Sequence, residues 1–132
     1  MRENLIDADD FFAIIELMKS RRYLGEFELM LLLAVIQLGE EAYGVPISCE
    51  LERHGKRNVA LGSVYAALER LEIKGLVDST LGDPTPERGG KAKRFFRITQ
   101  QGLRQVQDTR RILTSLWQAI PNLKFEMQSE RI

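Results

Sequence analysis

Eight consecutive apolar residues, Leu29-Met30-Leu31-Leu32-Leu33-Ala34-Val35-Ile36, set the hardest condition on how this chain folds. The run is far short of the roughly 20 residues that span a bilayer, and glutamates stand just before it and soon after it. A helix over Gly25–Leu38 that is apolar nearly all round must be covered on more than one side, so it is the central helix of a packed domain. With 132 residues, 44% of them hydrophobic and 29% charged, the chain fits one globular domain with appended helices.

The elements around this helix follow from period and punctuation. Asp9 or Asp10 caps a first helix running to about Arg21, with Phe11, Ile14, Ile15 and Met18 spaced at three and four and basic residues at its end. Gly39 closes the central helix, and a short turn leads into a helix over Val45–His54, with Pro46 in its first turn, Ile47 and Leu51 inward, and Gly55 as its stop. A further helix begins at Ala60 or Leu61, runs to Lys74 and ends on Gly75. Its apolar stripe is Leu61, Val64, Leu68 and Leu71, which leaves Ser63, Ala66, Glu69 and Arg70 outward, with Tyr65 and Ile73 near the edges. Two short helices joined by a tight turn, the second with a small and polar outer face, form a helix-turn-helix.

Leu76–Leu81 alternates as a strand, and Lys93–Ile98 returns as a second one. Between them lies a loop rich in glycine, proline and basic residues, so the pair is a hairpin with a basic tip. One of Phe95 and Phe96 points into the core and the other toward the adjoining helix or solvent. Thr99 caps a last helix from Gln100 to about Ile120, with Leu103, Val106, Leu113, Leu116, Trp117 and Ile120 on one side, and Pro121 ends it. The fold class is mainly α with a small β-hairpin, a winged helix-turn-helix. Residues 1–23 form an N-terminal amphipathic helix, 24–99 the DNA-binding domain, 100–121 a C-terminal dimerisation helix and 122–132 a tail.

Formal net charge is zero, but its distribution is not even. From Arg88 to Arg104 there are six basic residues and no acid, whereas Met1–Met18 holds five acids against Arg2. A wing carrying Arg88, Lys91, Lys93 and Arg94 can reach phosphates or the minor groove of double-stranded DNA beside the preceding helix. No glycine-rich phosphate loop follows a strand, no nucleophile arrangement includes His54, and no paired carboxylates mark a pocket. The chain reads as a non-enzyme without a cofactor. One cysteine, Cys49, excludes an internal disulfide, and no secretory leader is visible, which predicts a cytoplasmic location with no membrane partner.

Several stretches together resemble the PadR family of bacterial transcriptional regulators: Leu24-Gly25-Glu26-Phe27-Glu28-Leu29, Tyr43-Gly44 before the first helix of the helix-turn-helix, Val64-Tyr65-Ala66-Ala67-Leu68-Glu69-Arg70-Leu71 in the second, and Arg88-Gly89-Gly90 in the wing. The resemblance runs from about Leu24 to Leu103, and the single helix after the wing is similar to the family's smaller branch. It implies a homodimeric DNA-binding repressor whose last helix pairs with the other protomer. By the same resemblance Tyr43 and Tyr65 lie near DNA phosphates, and Ser63, Ala66 and Arg70 face the groove. Where many relatives have a capping serine or threonine this chain has Ala60, so its helix start is weaker or is capped from Asn58.

Individual residues keep two outlets each. Arg70 reaches a guanine edge or phosphate, or pairs with a nearby acid such as Glu69 or Glu72. Tyr65 donates to a phosphate or is a half-buried core tyrosine. Trp117 packs in a dimer core, or forms a platform for a small aromatic effector as in some small relatives. His54 completes or caps a helix end, and Cys49 is a small core or surface residue; no metal site is expected. The stripes of the first and last helices (Phe11, Ile14, Ile15 and Met18; Leu103, Val106, Leu113, Leu116, Trp117 and Ile120) are the expected dimer seam. Two rivals are a ligand-sensing dimer and an interaction module that keeps the fold without binding DNA.

Overall fold

A computed structural model describes residues 7–12, 24–84 and 92–121. Residues 8–12 are helical, and the Asp7 carboxylate accepts the Asp10 amide at 2.8 Å. The cap is therefore Asp7, and not Asp9 or Asp10, because Asp7 immediately precedes the first helical residue. After this come α1 (Glu26–Leu38), a 3-10 turn (Gly39–Glu41), α2 (Gly44–Gly55), α3 (Leu61–Ile73), β1 (Val77–Pro84), β2 (Ala92–Ile98) and α4 (Gln100–Gln118). No helix among the described residues is long and apolar enough to cross a membrane.

The apolar run lies in α1, whose Leu31, Leu32, Ala34 and Val35 are buried against Ile47 and Leu51 of α2, Val64, Ala67, Leu68 and Leu71 of α3, and Val77 and Phe96 of the hairpin. These positions cover only part of the helix circumference. Met30, Leu33 and Ile36 on the opposite side stay exposed. At the start of α1 the Gly25 amide donates to Glu28 Oε1 at 3.2 Å, while Glu28 Oε2 accepts Lys74 Nζ at 2.6 Å. One carboxylate thus both caps α1 and ties it to the end of α3.

Helix ends explain much of the topology. Gly39 adopts φ 59° and closes α1 as expected. For α2 the stop differs from expectation: Gly55 is the last helical residue, and Lys56 takes the left-handed turn at φ 61° and donates to the Glu52 carbonyl. At the end of α3, Gly75 has φ 80°, its amide reaches the Glu72 carbonyl at 2.9 Å and the Leu76 amide reaches the Leu71 carbonyl at 2.9 Å. This pair of bonds satisfies the last carbonyls and turns the chain directly into β1. Thr99 caps α4 as expected, its hydroxyl accepting the Gly102 amide at 3.0 Å and donating to the Gly75 carbonyl at 2.7 Å.

In α3 the buried set is Val64, Ala67, Leu68 and Leu71. Leu61, expected on that stripe, is exposed, because the first turn projects past the core and Ala67 takes the inward place one turn after Val64. The hairpin is longer than its sequence suggests: β1 continues through Gly82 and Asp83, and Pro84 pairs with Ala92 after a register shift beyond Leu81. A proline is tolerated there because the ladder is already irregular.

Two substitutions probe these joints. Gly102 lies so close to the Leu76 carbonyl that a Cβ would overlap the oxygen, and that oxygen already accepts the Thr99 amide at 3.1 Å. Gly102→Ala is expected to lower the unfolding free energy by about 1–3 kcal/mol in urea titrations, since backbone must move to admit the methyl. At Glu28 burial pushes the carboxyl upward, but the Lys74 and Gly25 hydrogen bonds and the charges of Lys74 and Arg70 outweigh it and leave it below the ordinary glutamate value. A carboxyl lowered in the folded state stabilises above its unfolded pKa and loses that contribution as pH falls through the folded one. Glu28→Gln should therefore flatten the acid limb of a pH–stability curve, with its largest deficit near neutrality.

Candidate nucleic-acid interface

The turn between α2 and α3 is held by side chains of α2. Ser48 Oγ donates to the Val59 carbonyl at 3.0 Å, and Glu52 Oε2 accepts the Val59 amide at 3.0 Å. Both polar groups of one turn residue are satisfied from the same helix, which fixes where α3 begins. That matters because α3 has no side-chain cap at Ala60. From this start α3 presents Ser63, Ala66, Glu69 and Arg70 to solvent, while Tyr65 is half-buried.

The hydroxyl end of Tyr65 lies against Gly44, in the first turn of α2, where a Cβ would overlap the phenol. Glycine is required here by this approach rather than by its dihedrals. Tyr43 is the residue just before α2, whose N-terminus carries no side-chain cap. Its ring meets Phe95 edge-on at a centroid distance of 5.3 Å, and the Lys93 ammonium sits 4.6 Å above it. Tyr43, Tyr65, Lys93 and the positive end of the α2 dipole therefore converge on one spot beside the outer face of α3. Such a spot favours an anion.

β2 accounts for this convergence. Tyr43 forms a bridge with Phe95, and the Phe96 amide donates to the Ala42 carbonyl at 2.8 Å, so the segment before α2 acts as a third, very short strand. From sequence, residues 40–44 read as a turn, because one bridge leaves no alternating pattern by which to recognise a strand. Phe96 is buried and Phe95 half-buried against Tyr43, as the alternation of β2 predicts. The same alternation sends Lys93 and Arg94 to opposite faces.

Arg94 does not share the exposed position of a free wing cation. Its guanidinium donates from Nε to Ser79 Oγ at 3.0 Å, from one terminal nitrogen to Glu69 at 3.2 Å and from the other to Glu72 Oε1 at 2.6 Å, and it lies over the Phe96 ring. Ser79 in turn donates to Glu72 Oε2 at 2.8 Å. Arg70 makes none of the ion pairs with Glu69 or Glu72 anticipated as its alternative; those carboxylates are taken by Arg94, and the charge of Arg70 acts on Glu28. Arg88 and Lys91 lie outside the described residues.

His54 lies in the last turn of α2 and so completes that helix end, the first of its two expected roles. Its Nε2 pairs with Glu50 Oε2 at 2.9 Å, one turn back on the same helix. The Arg53 hydrogen bond to that carboxylate, joined by His54 and opposed by burial, holds Glu50 below the ordinary glutamate value. Cys49 is exposed, and no group of three or more His, Cys, Asp or Glu among the described residues is placed to hold a metal.

The last helix has a different kind of surface. Val106 is buried in the core and also lines the groove between α1 and α4. Leu103, Leu113, Leu116, Trp117 and Ile120 remain exposed, Trp117 at 61%. Leu113 and Trp117 line one shallow groove with Leu29 and Leu33 of α1. Phe11 is exposed at 58%, while Ile14, Ile15 and Met18 lie outside the described residues.

Comparison with known proteins places this geometry in context. Residues 32–108, more than half of the chain, match the family model described as "Transcriptional regulator PadR-like family". A PadR-like transcriptional regulator from Bacillus cereus, BC4206, is similar at 28% identity over 74% of this chain and 89% of its own, with a TM-score of 0.60. The complex structure of hsRosR-S4 is similar at 25% identity, over 84% of this chain and 88% of that one, with a TM-score of 0.60. A PadR family regulator from Eggerthella lenta shares the fold at 24% identity and a TM-score of 0.58, over 87% of this chain and 93% of its own. No curated protein sequence matches the chain.

Proposed function

The chain belongs to the PadR-like family of transcriptional regulators, and on that premise we propose that it is a homodimeric repressor of transcription that binds a palindromic operator. The observation that carries the reading is the convergence of Tyr43, Tyr65 and Lys93 on the start of α2, next to the exposed Ser63, Ala66 and Arg70 of α3. In this reading α3 enters the major groove, and the cluster at α2 grips the phosphate that flanks it. Arg70 is positioned to reach a base edge or the adjacent backbone. Arg88 and Lys91 are assigned to the wing's phosphate contacts by sequence.

The exposed faces of α1 and α4 support dimerisation. Leu33, Leu113, Leu116 and Trp117 together leave a contiguous apolar surface that a protomer of this size cannot cover alone. A two-fold axis through that surface sets two copies of α3 to read half-sites about 34–36 Å apart, or a multiple of that spacing. A second reading is favoured by Trp117 itself. Its ring lines the groove with Leu29 and Leu33, so a flat aromatic effector could bind between paired helices and alter the separation of the two recognition helices.

Fluorescence anisotropy with the duplex upstream of the chain's own coding sequence, against a scrambled duplex of equal length, tests the function directly. Selective and salt-dependent binding is expected; binding to neither duplex at low salt would leave an interaction module as the better account. Lys93→Ala should weaken binding to both duplexes and reduce the salt slope by about 0.9, the value for one lost phosphate contact. Leu113→Glu combined with Trp117→Glu should produce monomers in analytical ultracentrifugation and weaken operator binding, whereas a dimer that survives both charges would place the seam elsewhere.

A further inference from the structure

We infer that Arg94 is a positioning residue that fixes the wing against the recognition helix through Glu72 and Ser79, and so sets sequence selectivity without itself contacting DNA. The inference rests on the DNA-binding reading given above. Its basis is a closed ring of hydrogen bonds across three elements: Arg94 of β2 to Glu72 of α3 at 2.6 Å, Ser79 of β1 to Glu72 at 2.8 Å, and Arg94 to Ser79 at 3.0 Å. Both oxygens of Glu72 are used. The Glu69 contact, at 3.2 Å to a more exposed carboxylate, adds to the ring but does not close it.

A basic residue on a wing is ordinarily assigned to phosphate. For Arg94 that assignment would require giving up three hydrogen-bonded partners and leaving Phe96, over which its guanidinium is packed. It would also uncover Glu69 and Glu72 on the helix that faces the duplex, where two carboxylates repel the backbone. The planar fork of arginine matches the arrangement, since its nitrogens point at once to a hydroxyl and two carboxylates; a lysine ammonium has no such fork. Ser79 and Phe96 are opposite each other in the hairpin register, and Arg94 precedes Phe96 by two residues, so all three lie on the α3 side of the wing. Lys93, on the other side, is left to meet phosphate.

Glu72→Gln separates the two assignments because their predictions have opposite signs. As a phosphate-contacting residue Arg94 would be released by this change, which also deletes a negative charge near DNA, and affinity for every duplex would rise with selectivity unchanged. As a positioning residue it loses its anchor. Selectivity for the upstream duplex over the scrambled one is then expected to fall about tenfold, with the salt slope on the scrambled duplex unaltered. Arg94→Lys should fall likewise despite keeping the charge, and the Glu72→Gln/Arg94→Lys double variant should lose no more than either single one.

Amide hydrogen exchange without DNA supplies an independent readout. Exchange in β1 and β2 of the folded dimer should accelerate in Glu72→Gln and in Arg94→Lys while the α1 core stays protected. Tighter binding at unchanged selectivity in Glu72→Gln, wild-type behaviour of Arg94→Lys, or unaltered hairpin exchange would each overturn the inference. If the wild-type protein binds no duplex, the DNA-binding reading fails by itself, and so does the selectivity role; hairpin exchange then reports whether the ring still fixes the wing.

Discussion

A single backbone hydrogen bond, from the Phe96 amide to the Ala42 carbonyl at 2.8 Å, fixes where the candidate interface forms. It joins β2 to the residues immediately before α2, two segments more than fifty positions apart. Because β2 alternates, fixing Phe96 inward commits its neighbours. Phe95 and Lys93 fall on the side of Tyr43, and Arg94 falls on the side of α3. A slip of one residue would exchange them, directing an arginine at Tyr43 and leaving Glu69 and Glu72 without a guanidinium. The buried Phe96 is what makes such a slip costly, since it would bring a charged residue into the core.

The second constraint is the composition of α1. Small domains bury a limited share of their surface, and α2, α3 and the hairpin together cover only one arc of this helix. Of the uncovered residues, Leu33 stands one turn after the half-buried Leu29, and the two meet Leu113 and Trp117 of α4 at one groove. The helix that nucleates the protomer core thus also supplies part of the surface proposed for dimerisation. A change of position in α1 would be felt both by α3, through Glu28 and Lys74, and at that surface.

Much of this organisation is legible in the sequence because it has a period or a breaker. The helix ends at Gly39 and Gly75, the Thr99 cap, the inward Ile47 and Leu51, and the outward Ser63, Ala66 and Arg70 all follow from local rules. What escapes is non-local. The strand-like bridge at Tyr43 has no partner until β2 is placed, and the last part of β1 is hidden by glycine and proline, residues that ordinarily mark a turn. The basic run at Lys93-Arg94 is visible as charge, but charge does not disclose which side of a strand it occupies. Glu72 looks like a solvated helix residue until Ser79 and Arg94 are brought against it.

The same pairings bear on how a chain with nineteen acids and nineteen basic residues can leave a positive charge beside the start of α2. Several acids near the helix-turn-helix are held by cations of the same chain: Glu28 by Lys74, Glu50 by Arg53, and Glu69 and Glu72 by Arg94. Their fields are largely cancelled within a few ångströms, less than the Debye length of about 8 Å at physiological salt. Among the described residues Lys93 meets an aromatic face in place of a carboxylate. Net neutrality would then have little bearing on the proposed DNA contact, because a phosphate placed at the start of α2 would sense Lys93 and the helix dipole well before the average of the chain.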